Sequence, residues 1–95
     1  MEILDYIPFG KENAVTREEL VVSTGMLDRQ IRKAIQKARD DGALILNDCS
    51  GNGYYQSDDI KEIYAQYRKD RARALSVLKR LKTMRRMLKE RGLPV

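Results

Sequence analysis

The sequence predicts a mostly helical α+β protein. A small domain of short helices is closed by a two-stranded hairpin and followed by one long helix. Three observations predict it. Short stretches with apolar residues at helical spacing are each stopped by a glycine, Gly25 and Gly42. Asn52-Gly53, a strong hairpin signal, lies between two short runs of strand formers. From Asp58 to Arg91 neither glycine nor proline interrupts the chain. We therefore divide the sequence into a compact domain at 1–57, a long basic amphipathic helix for oligomerisation at 58–91 and a tail at 92–95.

Each element has its own local reason. Ile3, Leu4 and Ile7 predict a short first helix, which Pro8 and Gly10 end. Lys11 to Asn13 reads as a polar loop and Ala14-Val15 as a short extended segment. Thr16-Arg17-Glu18-Glu19 is a capping box, in which the Thr16 hydroxyl and the Glu19 carboxylate each satisfy a free backbone N–H. It opens a helix whose buried side holds Leu20 and Val21. Gly25 stops that helix, because glycine enters the left-handed cap conformation without a Cβ clash. Asp28 is expected to cap the next helix. There Ile31, Ala34, Ile35 and Ala38 form one apolar stripe. Leu44-Ile45-Leu46 reads as a strand, Ser50-Gly51-Asn52-Gly53 as a turn and Tyr54-Tyr55-Gln56 as the returning strand. Helix, helix, tight turn, helix and hairpin, in this order, make a winged helix-turn-helix followed by a long helix of coiled-coil type.

The run Gly25-Met26 and then Ile31-Arg32-Lys33-Ala34-Ile35-Gln36-Lys37-Ala38-Arg39-Asp40-Asp41-Gly42 resembles the helix-turn-helix of the biotin-operon-repressor type. Ile45 through Ser50-Gly51-Asn52-Gly53-Tyr54 resembles the wing of the same type, in which a Gly-x-Gly-Tyr closes the hairpin. The chain is also similar to small winged-helix proteins carried by phages and prophages of low-GC bacteria, in which a basic helix follows the wing. The likeness covers roughly residues 1–57. It implies binding of double-stranded DNA with the second helix of the motif in the major groove.

With Ile31, Ile35 and Ala38 turned inward, a rotation of about 100° per residue sets Arg29, Lys33 and Gln36 on the opposite side, flanked by Arg32. Arg29 suits guanine, whose O6 and N7 accept a bidentate pair, and Gln36 suits adenine. Lys33 and Lys37 suit phosphate, which positions a protein without specifying sequence. Ser50 and Asn52 are wing residues expected at the minor groove or the backbone.

Charge divides the chain. Residues 1–57 hold seven bases and nine acids, and residues 58–95 hold twelve bases and five acids. A helix over 58–91 is ~50 Å long at ~1.5 Å per residue, whereas a 57-residue domain is only ~26 Å across. Its apolar stripe therefore needs another partner. The stripe runs through Ile60, Ile63, Tyr67, Asp70, Ala74, Val77, Leu81, Met84 and Leu88 in alternating steps of three and four. That is a heptad seam, and it predicts a homo-oligomer, a dimer first, built on Ile63, Tyr67, Ala74, Val77, Leu81, Met84 and Leu88. Two copies present two reading helices to a two-fold DNA site. The basic flanks of the seam also suit an acidic protein partner.

The composition argues against catalysis. Apolar residues make up 42% of the chain and charged residues 35%, enough for a small core. There is no histidine and one cysteine, Cys49. A His-based triad, a cysteine-rich zinc site and an internal disulfide are thereby excluded. No cofactor is expected. No stretch approaches the ~18 apolar residues of a membrane span, and the first ten residues do not read as a signal peptide. The expectation is a cytoplasmic, non-enzymatic protein that binds specific double-stranded DNA sequences as an oligomer, of the phage or prophage transcription-regulator type. The alternative is an oligomeric protein-interaction module, a phage adaptor or an inhibitor of a host protein, on the same fold.

Overall fold

The computed structural model describes residues 2–48 and 53–95. Cys49, Ser50 and Asn52 lie outside the described residues. The architecture is mostly helical with one small antiparallel sheet. A 3-10 turn at Ile3–Tyr6 and another at Lys11–Asn13 precede α1 (Arg17–Thr24), α2 (Asp28–Asp40), β1 (Ile45–Asn47), β2 (Tyr54–Gln56) and α3 (Ile60–Glu90). The chain forms two compact units, residues 1–64 and residues 65–95.

The expected first helix is a single 3-10 turn. Four residues precede the bend into Pro8, too few for a second turn of i to i+4 bonds, so the segment takes the tighter winding. Its carbonyls are instead met from a distance. The Gln56 Nε2 donates to Leu4 O at 3.1 Å and to Ile7 O at 2.8 Å. The Gln56 backbone N–H donates to Pro8 O at 2.8 Å, and its carbonyl accepts from Gly10 N at 3.1 Å. One strand residue thus fastens the N-terminal segment to the hairpin.

α1 starts at Thr16 as the sequence predicts, with Glu19 N donating to Thr16 Oγ1 at 3.1 Å. The reciprocal half of the capping box differs. The Glu19 carboxylate accepts from the Thr16 hydroxyl at 3.4 Å. Gly25 ends α1 at φ 75°, left-handed as the cap requires. At α2 the cap position falls on Leu27, whose backbone N–H donates to Gln30 Oε1 at 2.9 Å. Asp28 is the first helical residue and makes ion pairs there: Asp28 Oδ1 lies 3.3 Å from Arg17 Nε and Oδ2 lies 3.0 Å from Arg32 Nε. A carboxylate in the first turn also suits the positive end of the helix dipole.

The core of the first unit is a cluster of six buried residues: Ile3, Ile7, Leu20, Ile31, Ile35 and Ile45. Val15, Met26, Ala34, Ala38 and Tyr54 pack against it. The helical spacing in α2 brings Ile31 and Ile35 to this point, and Ile31 is fully buried. In the hairpin Ile45 pairs with Gln56, Leu46 with Tyr55 and Asn47 with Tyr54. The first strand is one residue later than Leu44-Ile45-Leu46, and Leu44 is exposed. The expected extended segment at Ala14-Val15 adds one antiparallel bridge: Val15 and Tyr54 exchange N–H···O bonds of 3.0 and 2.7 Å.

Gly53 stands in that bridge region for a reason other than turn chemistry. The glycines with positive φ among the described residues are Gly10, Gly25, Gly42 and Gly92. A Cβ built on Gly53 would lie 3.0 Å from the Ala14 Cβ and 3.6 Å from the Asp48 Cβ. Gly53→Val is therefore expected to lower the stability of the first unit by about 1–3 kcal/mol through overpacking. In a double-mutant cycle followed by thermal unfolding, Ala14→Gly should restore part of that loss. Strictly additive effects would show that the close approach is not the cause.

α3 is capped by the residues just before it. Asp59 Oδ1 accepts from Lys61 N at 2.9 Å, and the buried Ser57 hydroxyl accepts from Asp59 N at 3.0 Å while donating to Glu62 Oε1 at 2.6 Å. Past the end of the helix Gly92 takes a positive φ of 82°, and Leu93 N turns back to donate to Leu88 O at 3.0 Å. No described residue of α3 is buried. The described part of the chain holds no helix long and apolar enough to cross a membrane.

Candidate nucleic-acid interface

The core fixes which way α2 faces. Ile31 and Ile35 are locked into the cluster and Ala34 and Ala38 are half-buried beside them. The remaining arc carries Arg29, Arg32, Lys33, Gln36 and Lys37, all exposed. The five residues selected from the helix by sequence therefore share one solvent-facing side. Ser50 and Asn52, the other two, fall outside the described residues.

The five differ in how they are held. Arg32 is tied to Asp28, and through Asp28 to Arg17 at the start of α1. Lys37 Nζ donates to Asp41 Oδ2 at 3.1 Å. That hydrogen bond, and then the charge of Asp41, raise the pKa of the Lys37 ammonium above its ordinary value. Both pairs are exposed, so each contributes little to stability. Both nevertheless neutralise a base on the exposed side of α2. Among the described residues, Arg29 and Lys33 are engaged by no ion pair or side-chain hydrogen bond. With Gln36 they form the available strip, at the N-terminal and middle turns of α2. Asp40 continues the same strip at its C-terminal end, where a carboxylate disfavours phosphate.

Sequence reasoning missed the residue that sets the hairpin against this helix. Arg39 Nε donates to Ile45 O at 3.0 Å and Arg39 Nη2 to Asn47 Oδ1 at 3.0 Å. Its guanidinium carbon also stands 5.8 Å from the centre of the Tyr54 ring, within range of a cation–π contact worth about 0.5–1 kcal/mol. One base of α2 is thus spent on anchoring β1 and β2. The only hint in the sequence is its place one turn before the glycine that ends the helix. Of the two hairpin tyrosines, Tyr55 is buried, and Tyr54 is half-buried between the core and Arg39.

The predicted seam residues lie in α3. Ile63 belongs to the first unit and is half-buried. Tyr67, Ala74, Val77, Leu81, Met84 and Leu88 belong to the second and are exposed. Charge separates the two units more sharply than it separates the sequence halves. Residues 1–64 carry eight bases and twelve acids, and residues 65–95 carry eleven bases and two acids. Among the described residues no group of three His, Cys, Asp or Glu side chains is placed to hold a metal ion.

Compared with protein-family models, with curated proteins and with solved structures, the chain matches none.

Proposed function

We propose that the protein binds double-stranded DNA in a sequence-specific manner, with α2 as the helix that enters the major groove. In this reading α1, the Gly25 turn and α2 form a helix-turn-helix, and β1 with β2 forms the wing. One observation carries it: Arg29, Lys33 and Gln36 stand together on the exposed side of a helix whose other side is locked into the core. These residue types are suited to the groove. A guanidinium matches guanine O6 and N7, a carboxamide matches adenine N6 and N7, and an ammonium matches phosphate. The protein acts by occupying a site, in the manner of a phage- or prophage-type transcriptional regulator.

The test is selection from a random duplex DNA pool by the full chain at about 150 mM salt, which screens loose charge-driven binding. Enrichment of a defined site is the expected result. Recovery of no sequence would overturn the reading. The second reading, a protein-interaction module, draws on the acidic excess of residues 1–64, which opposes approach to phosphates. A site depending on Arg29 and Lys33 separates the two.

A further inference from the structure

The second unit presents an apolar stripe with charged edges, and the charge is of one sign. From Arg71 to Glu90 the stripe is formed by Ala74, Val77, Leu81, Met84 and Leu88, in steps of three and four. Leu78, Leu81, Met84 and Leu88, joined by Val95 from the tail, line a shallow trough edged by Lys82 and Arg85. In a helix pair the positions just outside such a stripe face the partner's own flanks and decide which partner is accepted. Here those positions are Arg73, Arg80 and Met87 on one edge and Arg71, Leu78 and Arg85 on the other. Four of the six are arginine and none is acidic.

That pattern selects against a second copy. Run parallel, two copies set Arg80 against Arg85. Run antiparallel about Lys79, they set Arg80 against Arg80 and Arg71 against Arg85. The homodimer expected from the stripe alone thus meets like charges in either direction. A membrane surface fits less well. Of the tryptophan, phenylalanine and leucine that helices in lipid headgroups carry on the apolar side, residues 65–95 supply leucine alone. A repeat of 3.5 residues also stays in line only when the helix supercoils about another helix.

We propose that residues 71–90 dock an amphipathic helix of a different protein, one that carries aspartate or glutamate along both edges of its apolar stripe. The inference is independent of whether α2 reads DNA. Together the two readings describe an adaptor that links a DNA site to an acidic partner.

The test uses the full chain, freed of nucleic acid, and two synthetic three-heptad peptides with leucine in the stripe. One carries glutamate at every flanking position and the other lysine. Anionic phosphatidylserine vesicles form a third arm. The chain alone is expected to sediment as a monomer at tens of micromolar. It should bind the glutamate peptide about tenfold or more tightly than the lysine peptide, with the preference shrinking as salt is raised. The variant R71E/R73E/R80E/R85E should reverse the preference. This gained binding of the lysine peptide distinguishes lost complementarity from a lost fold. A stable homodimer of the unmodified chain, equal binding of both peptides, or capture by vesicles with no binding of the glutamate peptide would each overturn the proposal.

Discussion

Arg29→Glu combined with Lys33→Glu is expected to abolish recognition of a selected duplex while leaving the protein folded. A good bidentate contact to a base contributes about 1–3 kcal/mol of discrimination, and each phosphate contact adds its own share of salt-dependent affinity. Losing one of each, and placing two carboxylates before the phosphates, should weaken binding by about 100-fold or more. Loss of the Lys33 phosphate contact should also flatten the salt dependence by about one counterion. Stability should change by no more than about 0.5 kcal/mol, since both side chains are exposed. The carboxylate introduced at position 29 would even sit favourably in the first turn of α2. Fluorescence anisotropy on the selected duplex, titrated over salt, measures both effects. Unchanged affinity would remove α2 from the groove and leave the protein-interaction reading. Lys37→Glu alone should do far less, because Asp41 already meets that ammonium.

Ile31→Ala should have the largest effect on the fold. Ile31 is fully buried in the six-residue cluster. Truncating such a side chain costs about 2–5 kcal/mol, the lost transfer energy plus the cavity left behind. A unit of 64 residues has only about 3–10 kcal/mol in total, at roughly 0.05–0.15 kcal/mol per residue. The variant should therefore lose most or all of the stability of the first unit. Ile31→Val should lose about 0.5–1.5 kcal/mol and stay folded. Amide NMR dispersion of the hairpin residues is the suitable readout, because the helical circular dichroism of α3 would mask a change in the first unit. A well-dispersed Ile31→Ala spectrum with an unshifted melting temperature would mean the core is not organised around this residue. DNA binding should fall with the fold in this variant and without it in the doubly charge-reversed one, which separates support from contact.

The sequence by itself determined the elements with local causes. The Thr16 hydroxyl at the head of α1, the left-handed Gly25 at its end, the apolar spacing of Ile31 and Ile35, and the unbroken run behind α3 each act over three or four residues. Helices are written at that range, so they can be read there. The exposed face of α2 was legible for the same reason: once two isoleucines face inward, the helical rotation places Arg29, Lys33 and Gln36 outward. What only the tertiary structure decided are the relations that cross the chain. Gln56 reaches Leu4 and Ile7 some fifty residues away. Gly53 leaves room for Ala14. Arg39 turns from the solvent face of α2 to hold Ile45 and Asn47. Asp28 reaches Arg17 of α1 across the turn, whereas the pairs Asp28–Arg32 and Lys37–Asp41 follow the local i,i+4 spacing of a helix. A hydrogen bond or an ion pair depends on which groups the fold brings within about 3 Å of each other. No periodicity along the chain encodes that distance.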